Sequence, residues 1–407
     1  MMEQFSSAEN GGHKTWRGVP ADEPVPAILA LRPTDYAIVG DIPEPEPSAK
    51  PPYRVLGRAE TAAIPSNGYS LVSTFSGAGG SSTGFRMAGF RPVYASEFVK
   101  AAAECYRANW PETPIDPRDI RDVTADDIRR IAGIETVDVL EGSPPCSSFS
   151  VSGKRQRGWG EIRHYSEERS QRTDDLFGEY VRLLYGLRPR VFIAENVAGM
   201  TTGKALGFYL RYRDEMSAAG YVVEARVLDA QWLGVPQRRR RLIYLGIRQD
   251  EYDRGMRHIW PTPLPYRYSI ADAIGGMSTE VRSFVTGRET VPETVAPSIE
   301  GSALDGEYDA ALNGTARYTN LTRNTFRTPS GTVSAIGGSS AGIASVVHPT
   351  ERRKFSIAEL KALSGFPPDY ILPGTFSQQW ERVGRSVPPV MMAAIARCIA
   401  QMLDGGA

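Results

Sequence analysis

The chain is 407 residues long, 41% apolar and formally neutral, with 47 basic and 47 acidic side chains. That length suits two domains with an extended end, and a neutral total neither requires nor excludes a nucleic-acid partner, which is marked by a basic face instead. Three widely separated cysteines (Cys105, Cys146, Cys398) without a Cys-x-x-Cys pair, and four scattered histidines, argue against a disulfide framework, structural zinc and metal catalysis, so no metal is expected.

Residues 1–68 are rich in Pro and Glu, as in Asp41-Ile-Pro-Glu-Pro-Glu-Pro-Ser48. Such a segment buries too little apolar surface to offset its ordering entropy, so it is expected to be a disordered tail with a short docking element near Tyr53 to Leu56. From residue 69 to 254 apolar strands alternate with helices. Strands are expected at 70–75, 92–96, 137–140, 191–194, 222–228 and 242–247, with helices at 99–109 and 176–187. This alternation predicts an α/β fold with a doubly wound, Rossmann-like sheet. Residues 255–325 are rich in Pro, Gly, Thr and Tyr without a sustained period and predict a small irregular domain. Helical periodicity returns at 356–364, with Ser356 as N-cap, and at 389–403. Residues 326–407 are therefore expected to complete the first domain.

Candidate chemistry lies where the strands end. Phe75-Ser-Gly-Ala-Gly-Gly-Ser-Ser-Thr-Gly84 joins a strand to a helix, and its glycines allow the backbone to approach a ligand closely. Alone this fits a nucleotide site, an S-adenosyl-L-methionine (SAM) site or only a tight turn. Glu97 ends the next strand, where a carboxylate can accept both hydroxyls of a ribose. Asp119, before Ile120 at a further strand end, is placed to receive an adenine amino group. Together they outline an adenosyl pocket. Cys146 follows Pro144-Pro145, which stiffen the turn after the strand at 137–140. A lone cysteine is commonly a small buried apolar residue, but a sheet-edge position between prolines and a Ser-rich loop favours a nucleophile. Glu195 ends the next strand and faces the same edge. Lys154-Arg-Gln-Arg157 and Arg238 to Arg241 are local basic clusters, which composition alone would assign to solvated faces.

The order FSGAGG (75–80), GSPPCSSFS (142–150), ENV (195–197), QRRRR (237–241) and GRSVPP (384–389) resembles the DNA (cytosine-5) methyltransferase family over about Val72 to Leu403. The resemblance implies a SAM-dependent methyltransferase fold, with residues 255–325 as target-recognition domain. It implies Cys146 as the nucleophile that adds to cytosine C6, and Glu195 as the group that bonds N3 and the exocyclic amine. Arg239 and Arg241 correspond to paired arginines that hold the base carbonyl and the catalytic groups. The same correspondence assigns Phe75, Gly77, Gly79, Glu97, Phe98, Asp119, Ile120, Pro145 and Leu176 to SAM. The target must be swung out of a duplex, at a cost of roughly a few kcal/mol. The loop 147–163 is the expected closing segment, with Lys154, Arg155 and Arg157 on phosphates and Gln237 also assigned to DNA. Tyr318 to Arg323 are candidate sequence readers. The expected partner is double-stranded DNA, with no membrane, no obligate protein partner, a monomeric state and a cytoplasmic, nucleoid-associated location.

One position departs from the resemblance. The last motif usually begins Gly-Asn, near the methionine end of SAM, and here it reads Gly384-Arg385. Arg385 can point to solvent or hold the ordinary methionine carboxylate. Alternatively it recognises a second carboxylate, which would make carboxy-SAM the donor and 5-carboxymethylcytosine the product. A milder departure is Ser147, where many members carry Gln; it has no evident consequence. An RNA cytosine-5 methyltransferase would share most of these motifs, although the Cys-Phe-Thr signature of that branch is absent. A catalytically dead homologue would be expected to lack Cys146, Glu195 or the arginines.

Overall fold

Residues 50–145, 163–165, 169–171, 176–282, 290–312, 321–338 and 346–405 are described by a computed structural model. A sheet of seven strands forms its centre. The strands are β1 (Ser70–Thr74), β2 (Arg91–Ser96), β3 (Ile115–Asp116), β4 (Val139–Gly142), β5 (Val191–Val197), β6 (Tyr221–Asp229) and β7 (Arg240–Arg248). Their order is β3-β2-β1-β4-β5-β7-β6. The first five are parallel, and β7 runs antiparallel to both neighbours. The chain winds outward from β1 to β3 and then returns to lay β4 on the other side of β1. This reversal opens a crevice at the carboxyl ends of β1 and β4, where open α/β sheets bind ligands.

Alternation along the strands explains the two apolar layers. Leu71, Val139, Val191 and Ile193 face one way, toward Met391, Met392, Ile395 and Ile399. Leu140, Phe192 and Ala194 face the other, toward Leu183, Leu184, Tyr209 and Met216. The principal helices are α1 (Gly80–Arg86), α2 (Lys100–Asn109), α3 (Leu176–Leu187), α4 (Leu206–Ala218), α5 (Ile357–Leu363), α6 (Phe376–Arg385) and α7 (Pro389–Leu403). Of these, α1 and α7 supply the first layer, α3 and α4 the second, and α2, α5 and α6 pack in a third cluster with Tyr106, Leu360 and Trp380. Ser356 caps α5 as expected, through a reciprocal bond with Glu359, and Pro389 opens α7 at a position where its missing N–H costs nothing.

The C-terminal segment is part of the sheet's cover. A Cβ at Gly80 would lie 2.6 Å from the Val387 carbonyl, and one at Gly84 would lie 2.6 Å from Met392 Cβ, so α7 seats against α1 only because both positions lack side chains. The stretch Phe376–Leu403 is long and apolar enough to cross a membrane by length and composition, yet 67% of its most apolar window is buried inside the protein. It is a core element whose apolar character serves the sheet.

Three expectations change. Residues 50–68, grouped with the tail by composition, pack on the body: Arg58–Ala63 is helical, and the docking element expected near Tyr53 to Leu56 is present, with Tyr53 donating to Ala362 O (2.6 Å) beside the Tyr268 ring. The strand expected at 137–140 is displaced to Val139–Gly142, because pairing with β1 and β5 continues through Gly142. The strand before Asp119 ends at Asp116, and Asp119 instead caps the short turn Ile120–Asp122.

Beyond residue 255 a separate apolar cluster joins Ile299, Leu304, Tyr308, Leu321 and Val347. Thr322–Arg323 pairs with Val346–Val347, so this cluster extends past residue 325. Arg323 and Arg352 stack on Tyr308 at 3.9 and 5.0 Å. Arg323, placed among the sequence readers, also donates to Pro349 O (2.9 Å) and pairs with Asp309. It is a structural tie here. Tyr318 to Asn320 lie outside the described residues.

Candidate active site

The carboxyl ends of the central strands open into one cavity of about 1090 Å³. Its first end is built by the turn after β1. Phe75 and Gly77 both adopt left-handed backbone (φ 52° and 55°), a conformation that costs a bulky residue energy and marks a held loop. Glu97, after β2, accepts the N–H of Gly77 (2.8 Å) and of Val99 (2.7 Å), tying the two turns together. Burial pushes its carboxyl above the ordinary value, while the two amides and the charge of Arg385 oppose the rise. Phe98 and Ile120 add apolar walls to this end.

The second end lies across β4 and β5. Glu195 and Arg241 form an ion pair (Oε1 to Nε 2.7 Å) at the cavity wall. Next to it, Asn196 Nδ2 donates to the carbonyl of Pro144 (3.2 Å), which fixes the Pro144-Pro145 turn against the end of β5. Arg239 is buried and donates to the carbonyls of Val333 (3.0 Å), Gly384 (2.8 Å) and Ser386 (2.9 Å), drawing the last motif onto the start of β7. Burial works against the charge of both guanidiniums, and Glu195 counters it.

A cavity at the switch point thus has an enclosed loop-and-carboxylate end and a carboxylate–guanidinium end beside a proline-stiffened turn. Residues 69–401 match the family of C-5 cytosine-specific DNA methylases. The chain belongs to that family. It is similar to the Type II methyltransferase M.PspPI of Psychrobacter sp. (strain TA137), 30% identical over 373 residues covering 85% of this chain and 82% of that one. It is also similar to the Type II methyltransferase M1.HphI of Haemophilus parahaemolyticus, 29% identical over 339 residues covering 82% and 87%. Among solved structures, a DNA modification methyltransferase encoded within an Escherichia coli prophage shares the fold, with a TM-score of 0.63, 19% identity, and coverage of 83% of this chain and 99% of that one. The protein is a DNA cytosine-5 methyltransferase.

The methylase's residues fit SAM at the first end. An ionised carboxylate offers about four acceptor sites; the amides of Gly77 and Val99 leave Glu97 with acceptors for a ribose diol. Of the residues assigned to catalysis and cofactor by resemblance, Phe75, Gly77, Glu97, Phe98, Ile120, Pro145, Glu195, Arg239, Arg241 and Arg385 line the cavity. Others do not. Gly79 is left-handed (φ 89°), and a Cβ there would come 2.8 Å from the Tyr370 hydroxyl, so its role is steric. Asp119 accepts from the N–H (3.1 Å) and guanidinium (3.0 Å) of Arg121, beside the cavity rather than in its wall. Leu176 belongs to the apolar layer under the sheet.

Gln237 is enclosed rather than exposed. Assigned to DNA, it is buried, donates to Ser364 Oγ (2.9 Å) and accepts from Val333 N (3.2 Å). The C-terminal segment covers it, and it holds that segment in place. Cys146, Lys154, Arg155 and Arg157 lie outside the described residues; Cys146 directly follows Pro145 in the chain. Arg385 sits on the cavity rim, about half exposed, with its Nε on Glu381 (2.7 Å). Two features escaped the sequence reading. Asn196 is the link between β5 and the proline turn, and Glu141 is a buried carboxyl in the cavity wall. The ENV motif pointed to the first; nothing local pointed to the second.

Proposed function

We propose that this methylase transfers a methyl group from SAM to C5 of a cytosine swung out of duplex DNA, through a covalent bond between Cys146 and C6. The observation that carries this reading is the Glu195–Arg241 pair, set beside the Pro144-Pro145 turn that leads into Cys146. Cytosine C5 is a weak nucleophile. Addition of the Cys146 thiolate to C6 moves electron density to C5, and Glu195 assists by sharing a proton at N3. SAM supplies an electrophilic methyl on a sulfonium. After C5 takes the methyl, the C5 proton leaves, the C5–C6 double bond reforms, and the C6–sulfur bond breaks to return the thiolate. Arg241 orients Glu195 and meets the base carbonyl, whereas Arg239 holds the loop of the last motif. The chain is expected to act as a cytoplasmic monomer. Its similarity to proteins named Type II methyltransferases supports modification of one fixed duplex sequence within a restriction–modification pair. Residues 255–325 are assigned to target recognition.

Duplex DNA containing 5-fluorocytosine tests the mechanism, because fluorine cannot leave as a proton does. A SAM-dependent, denaturation-resistant adduct is expected, and it disappears in Cys146→Ser. A wild-type protein that methylates ordinary DNA but never forms the adduct overturns the covalent step. Sequencing the methylome of a methylation-free host that expresses the chain identifies the target.

A second reading rests on Arg385 alone: its place on the cavity rim supports recognition of an extra carboxylate and hence carboxy-SAM as donor. The ion pair with Glu381 and its influence on Glu97 favour the simpler role beside the donor's ordinary carboxylate. Mass spectrometry of DNA modified in the presence of each donor separates them. Unchanged donor preference in Arg385→Asn removes the second reading.

A further inference from the structure

The strand order places β4 between β1, whose following turn builds the donor end, and β5, which carries Glu195 at the base end. The group in transit must cross between these ends. Glu141, on β4, reaches the cavity wall there, and its carboxyl is almost wholly buried. Its register partners on the same sheet face are Ser73 and Ile193. Ser73 Oγ donates to Glu141 Oε2 (2.5 Å), and Ser76 Oγ lies 2.9 Å from Ser73 Oγ, so a short hydroxyl chain leads from the glycine turn to this carboxyl. No guanidinium or ammonium pairs with it among the described residues. A buried acid of this kind is costly, and an apolar residue would continue the layer formed by Leu71, Val139 and Val191. The mechanism above makes no use of it.

We propose that Glu141 is a specificity-determining residue that reads the charge of the donor, separating the sulfonium of SAM from the neutral thioether of S-adenosyl-L-homocysteine. This rests on SAM being the donor. An anionic wall in a low-dielectric cavity attracts a cation strongly and loses that attraction once the methyl has left. Glu141 therefore favours donor entry and product release. A donor with an extra carboxylate on the transferred carbon keeps its sulfonium but brings a negative charge to the same wall, which opposes its binding and favours methyl as the transferred group.

Burial, with Glu195 nearby, pushes the Glu141 carboxyl up to about 7, while the Ser73 and Ser81 hydroxyls hold it down. The other titratable groups that feel it are Tyr106 on α2 and Tyr180 on α3. A bound sulfonium favours the ionised form and lowers the folded value. SAM affinity should then rise as pH climbs through about 7 and level off above it, whereas affinity for the thioether should not follow.

Calorimetric titration of SAM and of S-adenosyl-L-homocysteine into wild type and Glu141→Gln at pH 8 tests this. The variant is expected to bind SAM about tenfold more weakly, the equivalent of one pKa unit, with product affinity changed less than about twofold. A purely structural role would weaken both ligands alike, and that result overturns the proposal. Retained product binding also reports that the variant is folded. Should the variant bind neither, the wild-type affinity ratio between pH 6 and 8 decides, after correction for ionisation of the free ligands: a flat ratio overturns the proposal. Wild type that binds neither ligand at any pH instead overturns the SAM reading itself.

Discussion

The edge of the central sheet and the small unit beyond residue 255 use the same kinds of polar residue for opposite ends. At the sheet edge the strands deliver side chains into common space: Glu97 after β2, Glu141 on β4, Glu195 on β5 and Arg241 at the start of the antiparallel β7 all line one cavity. In the small unit, charged groups are consumed internally. Arg352 is held by Asp305 and Asp309, Arg353 by Glu351 and Glu359, and Arg323 by Asp309 over the ring of Tyr308. A regular sheet needs no side-chain ties to define its edge, because backbone hydrogen bonds do so. An irregular unit with a small apolar cluster uses its side chains as ties.

The largest expected loss comes from cutting the sheet-edge pair. Glu195→Ala removes the carboxyl proposed to share a proton with the base and leaves the Arg241 guanidinium without its 2.7 Å partner. Single-turnover methyl transfer should fall roughly 10²–10⁴-fold while SAM binding at the other end stays within about twofold. Equal loss of rate and SAM affinity would show that the two ends of the cavity are not separable.

Next in size is the seam that brings the C-terminal segment onto the sheet. Gly84→Val places a branched side chain against Met392 and the backbone of α7. Overpacking of this kind costs about 1–3 kcal/mol or more. Thermal unfolding should begin lower by several degrees, with activity falling in parallel, because Arg239 and Gln237 depend on that segment. A variant as stable as wild type would mean that α7 can shift without cost.

These two regions also differed in how far the sequence revealed them. Helices at 176–187 and 389–403 end where their apolar periodicity ends, and the turns after β1, β2 and β5 were legible because their motifs are local. Glu141 was not legible. Within Val-Leu-Glu-Gly a single carboxyl reads as a strand-end residue, and its burial arises only when α1 and the C-terminal segment close over the sheet. Gln237 misled for the same reason in reverse, since a polar residue beside four arginines reads as exposed until a segment more than a hundred residues later covers it. Asp119 was misplaced because a strand of two residues, Ile115–Asp116, is too short to show a period.

In the small unit, Arg323→Ala sharpens the contrast. Loss of its stacking on Tyr308 and of its bond to Pro349 O should cost about 1.5–3 kcal/mol, the range of one charged hydrogen bond. The methylated sequence should remain the same, as read by methylome sequencing. A changed target would return Arg323 to the readers and show that a residue can serve as tie and reader together.

The smallest effect is expected from the basic run itself. In the extended run leading into β7, Arg239 and Arg241 turn inward, whereas Arg238 and Arg240 are exposed at the cavity mouth, the alternation of extended backbone. The inward pair is spent on carbonyls and on Glu195, which leaves the outward pair exposed at the mouth. Arg240→Ala should weaken duplex binding evenly across sequences and reduce the salt dependence of log K by about one. The single-turnover rate at saturating DNA should stay unchanged, because the only tie from Arg240 to the Glu195 end among the described residues is its carbonyl, which accepts from Arg241 (2.8 Å) and which the variant keeps. Binding isotherms at several salt concentrations measure the slope directly. An unaltered slope would make Arg240 a solvated face after all, and a lowered saturating rate would place it with the inward pair.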